Sequence, residues 1–348
     1  MIEKYLRPDG PKWFSSEGPE KDIVFGTRVI FFRNFRDYIF PAKAPAKHLK
    51  ITDSKIASQL AELYDIDRIK ISSLTAKEKR LLSEHLILSP YVPTHDYSHI
   101  CFYPDFQRIA LTNTTDHFVL ISYGSGFQPY SVFEISHNQI VEMDKENIFA
   151  HSDKWGYLTS TPYTIGCAFN VSFYLNLWGL ANMGNLEDIQ NKIKNAVAIR
   201  SFFTHGNEIV GYLFKMLSTQ TFGYTQEQVI RNTKLAMRGL IDAEKKARDT
   251  LKEKASILIE DKSLRALSIL KSARVLNYHE TLSMLSAVKT GIDCGIITGD
   301  ITEIYKMIIL IHPNNLLTYY SDGVQEEFVD ALRAEVVRNR IVNFDTLH

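Results

Sequence analysis

The sequence predicts an α+β protein: an antiparallel sheet flanked by helices, followed by a small all-helical region. Three observations carry this. Asp22 to Phe35 alternates and is rich in Val, Ile and Phe, as a half-buried strand is. Arg108–Thr112 and Phe118–Ser122 read as consecutive antiparallel strands, joined by the turn residues Asn113-Thr-Thr-Asp116. Beyond about residue 256 every apolar stretch carries helical spacing instead. The chain of 348 residues is long enough for two domains and a sizeable core. Forty basic and forty acidic residues leave no net field, so neither nucleic acid nor an anionic membrane is implied as a partner. Cys101, Cys167 and Cys294 are too widely spaced for a disulfide framework or a zinc site and point to a reducing compartment, with no metal expected. The start, MIEKYLRPDGPKW, lacks the apolar core of a signal peptide, and a cytoplasmic protein is expected.

Taken in order, residues 1–20 carry Pro8, Gly10, Pro11 and Gly18 and read as a loose lead-in. Ser54–Tyr64 and Ala76–Leu88 have helical apolar spacing, with start signals at Thr52–Ser54 and Ser72–Thr75. Ile100–Tyr103 is a further strand. A polar helix follows near Leu186–Ala196, then strands near Val197–Phe203 and Ile209–Leu217, bridged by Thr204-His-Gly-Asn-Glu208. Thr225-x-x-Gln228 is a capping box that opens a long helix to about Lys254. Ser256–Glu260 reads as a boundary. Helices then cover Leu264–Val275, Glu280–Ile292, Ile301–Ile311 and Gln325–Val342, broken at Asn277, Gly299-Asp300 and Pro313.

The stretch Trp155–Leu180 organises the rest. Gly156–Pro162 suits a strand end and turn, and from Gly166 the run through Phe169, Val171, Phe173 and Leu175 reads as a helix that is apolar nearly all round, hence buried. A strand end feeding such a helix is a place for an anion, because free N–H groups point out of the helix start. A core helix behind a loop is the alternative.

Gly156-Tyr-Leu-Thr-Ser-x-Pro162-x-x-x-Gly166, preceded by Asp22–Lys43 (DIVFGTRVIFFRNFRDYIFPAK) and followed by Ile269–Ile297, resembles the ATP:guanido phosphotransferases, specifically the bacterial protein arginine kinases of the McsB type. The resemblance runs from about Asp22 to Arg338. It implies a guanido-kinase catalytic fold over residues 21–255 and a helical C-terminal domain, of dimerisation or phosphoarginine-reading type, over 256–348.

Phosphoryl transfer to a guanidinium needs cations on the triphosphate, usually with Mg²⁺, a carboxylate to take a proton, and a second carboxylate to orient the acceptor. The resemblance assigns these roles to five arginines, glutamates in two loops and a cysteine. Arg28 and Arg200 match two of the arginines as nucleotide contacts; the other three positions are Ile30, Val119 and Asn170. A charge-assisted hydrogen bond contributes about 1.5–3 kcal/mol, so three losses remove about 4–9 kcal/mol. A nucleotide held at about 100 µM has only about 5.5 kcal/mol to lose. ATP and Mg²⁺ are therefore expected to bind weakly. In the turn Asn113-Thr114-Thr115-Asp116-His117, Thr115 stands where the catalytic glutamate belongs, and Thr161 stands where the cysteine belongs. A hydroxyl is no base near neutral pH. His205 takes the place of the second glutamate, and Glu208 is a substitute carboxylate three residues on. Asp116 is expected to bond backbone, and Cys167 to be inert core.

In the C-terminal region the family's phosphoarginine-reading motif reads Val329-Asp330-Ala-Leu-Arg333-Ala, so Asp330 and Arg333 are either remnants of that reader or an exposed i,i+3 ion pair. Ile269, Leu285 and Ile296 are candidates for a homodimer contact. The first expectation is a catalytically impaired pseudokinase that serves as a scaffold, the resemblance placing its partners among a small zinc-binding activator, a heat-shock repressor and the Clp ATPase. The second is an active protein arginine kinase with a site rebuilt on Arg28, Arg200 and His205 or Glu208. A free-arginine kinase is the third.

Overall fold

In a computed structural model the chain is described over residues 2–89, 91–202, 204–205, 208–320 and 326–347. From the N-terminus come α1 (Lys12–Ser15), β1 (Val24–Arg33), α2 (Ala46–Leu63), β2 (Asp67–Lys70), α3 (Ala76–Glu84), β3 (His99–Phe102), β4 (Arg108–Thr112), β5 (Phe118–Gly124) and α4 (Pro129–Met143). A ribbon of β6 (His151–Ser152) and β7 (Gly156–Tyr157) leads to β8 (Phe169–Asn176), α5 (Trp178–Met183), α6 (Leu186–Ile193) and β9 (Val197–Ser201). A second ribbon, β10 (Thr204–His205) with β11 (Glu208–Ile209), precedes β12 (Leu213–Ser218). Then follow α7 (Gln226–Lys254), α8 (Ser256–Ser272), α9 (Tyr278–Asp293), β13 (Ile297–Thr298), α10 (Ile301–Leu310), α11 (Pro313–Tyr319), α12 (Val329–Arg340) and β14 (Asp345–Thr346), the last pairing with β13.

Eight strands form one antiparallel sheet in the order β2-β3-β4-β5-β1-β8-β12-β9. Its two faces seed two cores. Val29, Phe31, Leu120, Val171, Phe173 and Met216 point one way, toward α4 and α7. Ile121, Tyr123, Tyr174 and Leu213 point the other way and join the apolar interior of the C-terminal helices, including Leu285, Tyr305 and Val337. The capping box at Thr225 is present, with Thr225 Oγ1 accepting from Gln228 N and the Gln228 side chain accepting from Thr225 N. Among the described residues no helix is long and apolar enough to cross a membrane.

Four readings of the sequence change. Phe169–Asn176 is not a helix but β8, paired with β1 on one side and β12 on the other. Its Phe169, Val171, Phe173 and Leu175 alternate with Asn170, Ser172 and Tyr174, the period of two that marks a strand, so the residues that read as apolar nearly all round lie mostly on one face. The helix-start anion site expected there falls with it. The lead-in is not loose: Ile2 and Phe14 are fully buried, and Trp13 stacks on Tyr123 and Tyr174 with ring centroids 5.0 and 5.5 Å apart. Trp13 lies so close to β1 that a Cβ on Gly26 would meet its ring at 2.3 Å. Ser256–Glu260 is the first turn of α8, the break falling at Ala255. Leu285 is fully buried in the chain's own core and is no surface contact, while Ile269 and Ile296 are partly buried and pack on the same interior.

Candidate functional site

The strand register decides what can meet on the sheet. Arg28 of β1 lies opposite Tyr123 of β5 and Ser172 of β8, and Ile30 lies opposite Ile121 and Asn170. Val119 is opposite Phe32. On the far side, Arg200 of β9 pairs with Lys215 of β12, which pairs with Tyr174 of β8. Directly paired residues project to the same face, as do residues two apart along a strand. Arg28, Ile30, Val119, Asn170 and Arg200 therefore share one face, although they come from four strands.

Their environments differ. Val119 is buried and Ile30 packs beside it against the apolar interior. Asn170 is bound locally, its Nδ2 donating to the Ser218 carbonyl at 3.0 Å and to Ser218 Oγ at 3.1 Å. These three positions present no charge. Arg28 stands over the Tyr123 ring at 5.7 Å, with its Nε buried and without a partner. Ser172, directly across from it, is fully buried, and its Oγ also lacks a partner. Arg200 is exposed.

Lys215 is the residue the sequence reading missed. It sits between Arg200 and Tyr174, its Nζ 5.7 Å from the Tyr174 ring centroid. Burial and the two guanidinium groups, Arg28 and Arg200, bring its pKa down to about 7. The available signal was a lone cation inside an otherwise apolar strand, Leu213-Phe-Lys-Met-Leu217.

The turn and the segment that carry Thr115 and Thr161 are tied together by Asp116. Its Oδ1 accepts from Ser160 N at 2.8 Å and from Asn34 Nδ2 at 2.5 Å. Asn113 fixes the other side of the turn, accepting from Thr52 Oγ1 at 2.9 Å and donating to the Leu49 and Tyr97 carbonyls. Burial raises the pKa of Asp116 and lowers that of His117 to about 4. His117 is neutral in this setting, and its ring bridges Phe35 N and the Ile39 carbonyl. Thr161 Oγ1 lies 2.9 Å from Thr164 Oγ1, which donates to Thr159 Oγ1 at 2.9 Å. Thr161 thus belongs to a short run of threonine hydroxyls with Thr159 and Thr164. Cys167 is buried, and burial pushes its thiol up to about 11.

His205 and Glu208 face each other across the β10–β11 ribbon, and their side chains lie outside the described residues. Asp330 and Arg333 are elsewhere, on α12. Arg333 is 1% exposed, not part of a surface pair. It donates to the Ile311 and Leu276 carbonyls at 2.8 Å each and to Asp330. The guanidinium is held as a structural tie between helices.

The comparisons agree with this layout. The model of the ATP:guanido phosphotransferase C-terminal catalytic domain matches residues 49–247. That of the protein-arginine kinase McsB C-terminal domain matches residues 256–348. The chain is 28% identical over 349 residues to a protein-arginine kinase of Bacillus cereus (strain G9842), covering 98% of each. It is 28% identical over 348 residues to that of Bacillus velezensis, covering 98% of this chain and 96% of the relative. Among solved structures, lombricine kinase superposes with a TM-score of 0.57 at 20% identity, over 70% of this chain and 75% of that one. The substrate-free duplicated taurocyamine kinase of Schistosoma mansoni gives 0.55 at 19% identity, over 69% of this chain and 34% of that longer chain.

Proposed function

The chain belongs to the ATP:guanido phosphotransferase family, and on that premise we propose that it is a catalytically impaired protein-arginine kinase homologue that works by binding. The observation that carries the reading is the sheet face itself. Of five positions for a cationic clamp, Ile30, Val119 and Asn170 carry no charge, and two of them have joined the apolar interior. The positions of the catalytic glutamate and of the cysteine, Thr115 and Thr161, carry hydroxyls on loops that Asp116 ties together. Burying a triphosphate charge on this face would leave most of it uncompensated, so the residues present do not fit ATP with Mg²⁺ as a tight ligand. The fold around the site is kept, which suits a scaffold in protein-arginine phosphorylation. Its partners are then a small zinc-binding activator, a heat-shock repressor or a Clp ATPase, met in the cytoplasm by a homodimer.

The test is a phosphoarginine assay. Purified protein is incubated with Mg·ATP and casein, and acid-labile phosphate on arginine is read by mass spectrometry beside an active kinase. No label on the acceptor is the expected result. Label that disappears in Arg200→Ala would overturn the reading and direct attention to His205 and Glu208 as the rebuilt base.

A further inference from the structure

We infer that Arg28, Ser172, Lys215 and Arg200 form a site for one tetrahedral oxyanion, a phosphoryl- or sulfate-sized group, in place of a triphosphate. The assignment rests on the reading of this face as a thinned clamp and adds the class of ligand that the remaining half accepts. Three cations lie on one face of the sheet in two adjacent cross-strand rows, Arg28–Ser172 and Tyr174–Lys215–Arg200, and among the described residues none of them has a carboxylate partner. Two buried polar atoms of the first row, Arg28 Nε and Ser172 Oγ, have no hydrogen-bond partner among the described residues. Buried groups of this kind are ordinarily satisfied. A single oxyanion between the two rows satisfies both and offsets the three cations, whereas a longer polyphosphate runs onto Ile30 and Val119, which offer it nothing.

Lys215 adds a condition. In the empty site its ammonium is opposed by burial, Arg28 and Arg200, so near pH 7 the lysine is partly neutral. An anion restores the charge, and binding is then accompanied by proton uptake. The groups facing it are Tyr174 from β8, Arg200 from β9 and Arg28 from β1, with Tyr123 of β5 beside Arg28. His205 and Glu208 follow on the adjoining ribbon.

Sulfate is the probe, because its charge does not change across the range. Isothermal titration of the full chain at about pH 6 and about pH 8.5 brackets the lysine's transition near 7. Affinity is expected to fall about tenfold or more at the higher pH in the wild type, and to be weak and flat in Lys215→Met. Ser172→Ala weakens binding and keeps the slope; Glu208→Gln asks whether the slope belongs to the carboxylate on the adjoining ribbon instead. Inorganic phosphate, a phosphoarginine peptide and ADP, compared at the lower pH, separate the sources of the phosphoryl group. ADP is expected to gain little over inorganic phosphate. An unchanged slope in Lys215→Met with a native melting curve, a slope that follows Glu208, or no binding of any probe would overturn the site and leave the pseudokinase reading standing. ADP bound about a hundredfold tighter than phosphate, with label on casein, would overturn both.

Discussion

Two clusters of charged side chains in this protein are built on opposite terms. One sits where β1, α5, α7 and α9 meet. Arg248 Nε donates to Glu244 at 2.7 Å, and its Nη1 lies 3.0 Å from Asp22 and 3.3 Å from Asp293. Lys289 reaches the same Asp293 at 2.6 Å. Glu244 also accepts from Gly179 N and Leu180 N, both at 2.9 Å, closing the first turn of α5. Burial opposes the charge on Arg248, yet Asp293 and Glu244 outweigh it and its pKa rises. The other cluster, Arg28, Lys215 and Arg200, has cations only, and there burial and like charge act together. The first finds every counterion within the chain. The second finds none among the described residues, and the difference separates a structural joint from the proposed anion site.

The largest effect is expected from the joint. Glu244→Ala leaves Arg248 with less compensation and strands two amides, a loss on the order of 3–5 kcal/mol in urea unfolding. A loss under about 1 kcal/mol would mean that the joint is no more than a surface pair.

Lys215→Met should move stability the other way. The sign follows from proton counting: the folded pKa is depressed to about 7 from the ordinary lysine value of 10.5, so between those values the unfolded chain binds the extra proton and stability rises with pH. The penalty is fully present below 7 and gone above 10.5. Met keeps the apolar stem and removes the charge, so the variant should gain roughly 2–4 kcal/mol at pH 6, a figure discounted for the partly exposed ammonium end. The gain should fade as pH rises. A gain that persists undiminished near the unfolded pKa would place its origin in packing.

Arg333→Ala tests a third buried cation, one whose partners are mostly carbonyls. Orphaning the Ile311 and Leu276 oxygens should cost about 2–3 kcal/mol. If instead the variant melts like wild type and loses only binding of a phosphoarginine peptide, then Arg333 reads a ligand and is not a tie.

How much of this was legible depends on where each signal is encoded. Strands β4 and β5, the turn at Asn113–Asp116 and the box at Thr225 are local patterns, and they were readable within a residue or two. β8 was not, although Phe169, Val171, Phe173 and Leu175 alternate with Asn170 and Ser172, because Ala168, Tyr174 and Leu177 fill in the pattern until it resembles a helix that is apolar all round. The Trp13 anchor was hidden by its Pro- and Gly-rich neighbours, because stacking on Tyr123 and Tyr174 is a tertiary fact. At the site, resemblance supplied Arg28, Arg200 and the altered Thr115 and Thr161. It could not supply Lys215, which becomes part of the row only through the register of β12 with β8 and β9.

The smallest effect on stability, and the sharpest on the comparison, belongs to Arg200→Ala. Arg200 is exposed and holds no ion pair among the described residues, so its removal should change unfolding by no more than about 0.5 kcal/mol. Yet Arg200 is one of two guanidinium groups that depress the lysine opposite it. Removing it should raise the pKa of Lys215 and shift the midpoint of the sulfate pH profile upward, while the affinity at low pH falls because one cation is gone. A merely solvated arginine would move neither quantity. The two shifts have opposite consequences for binding near neutrality, and only a residue that both repels Lys215 and attracts the anion produces them together.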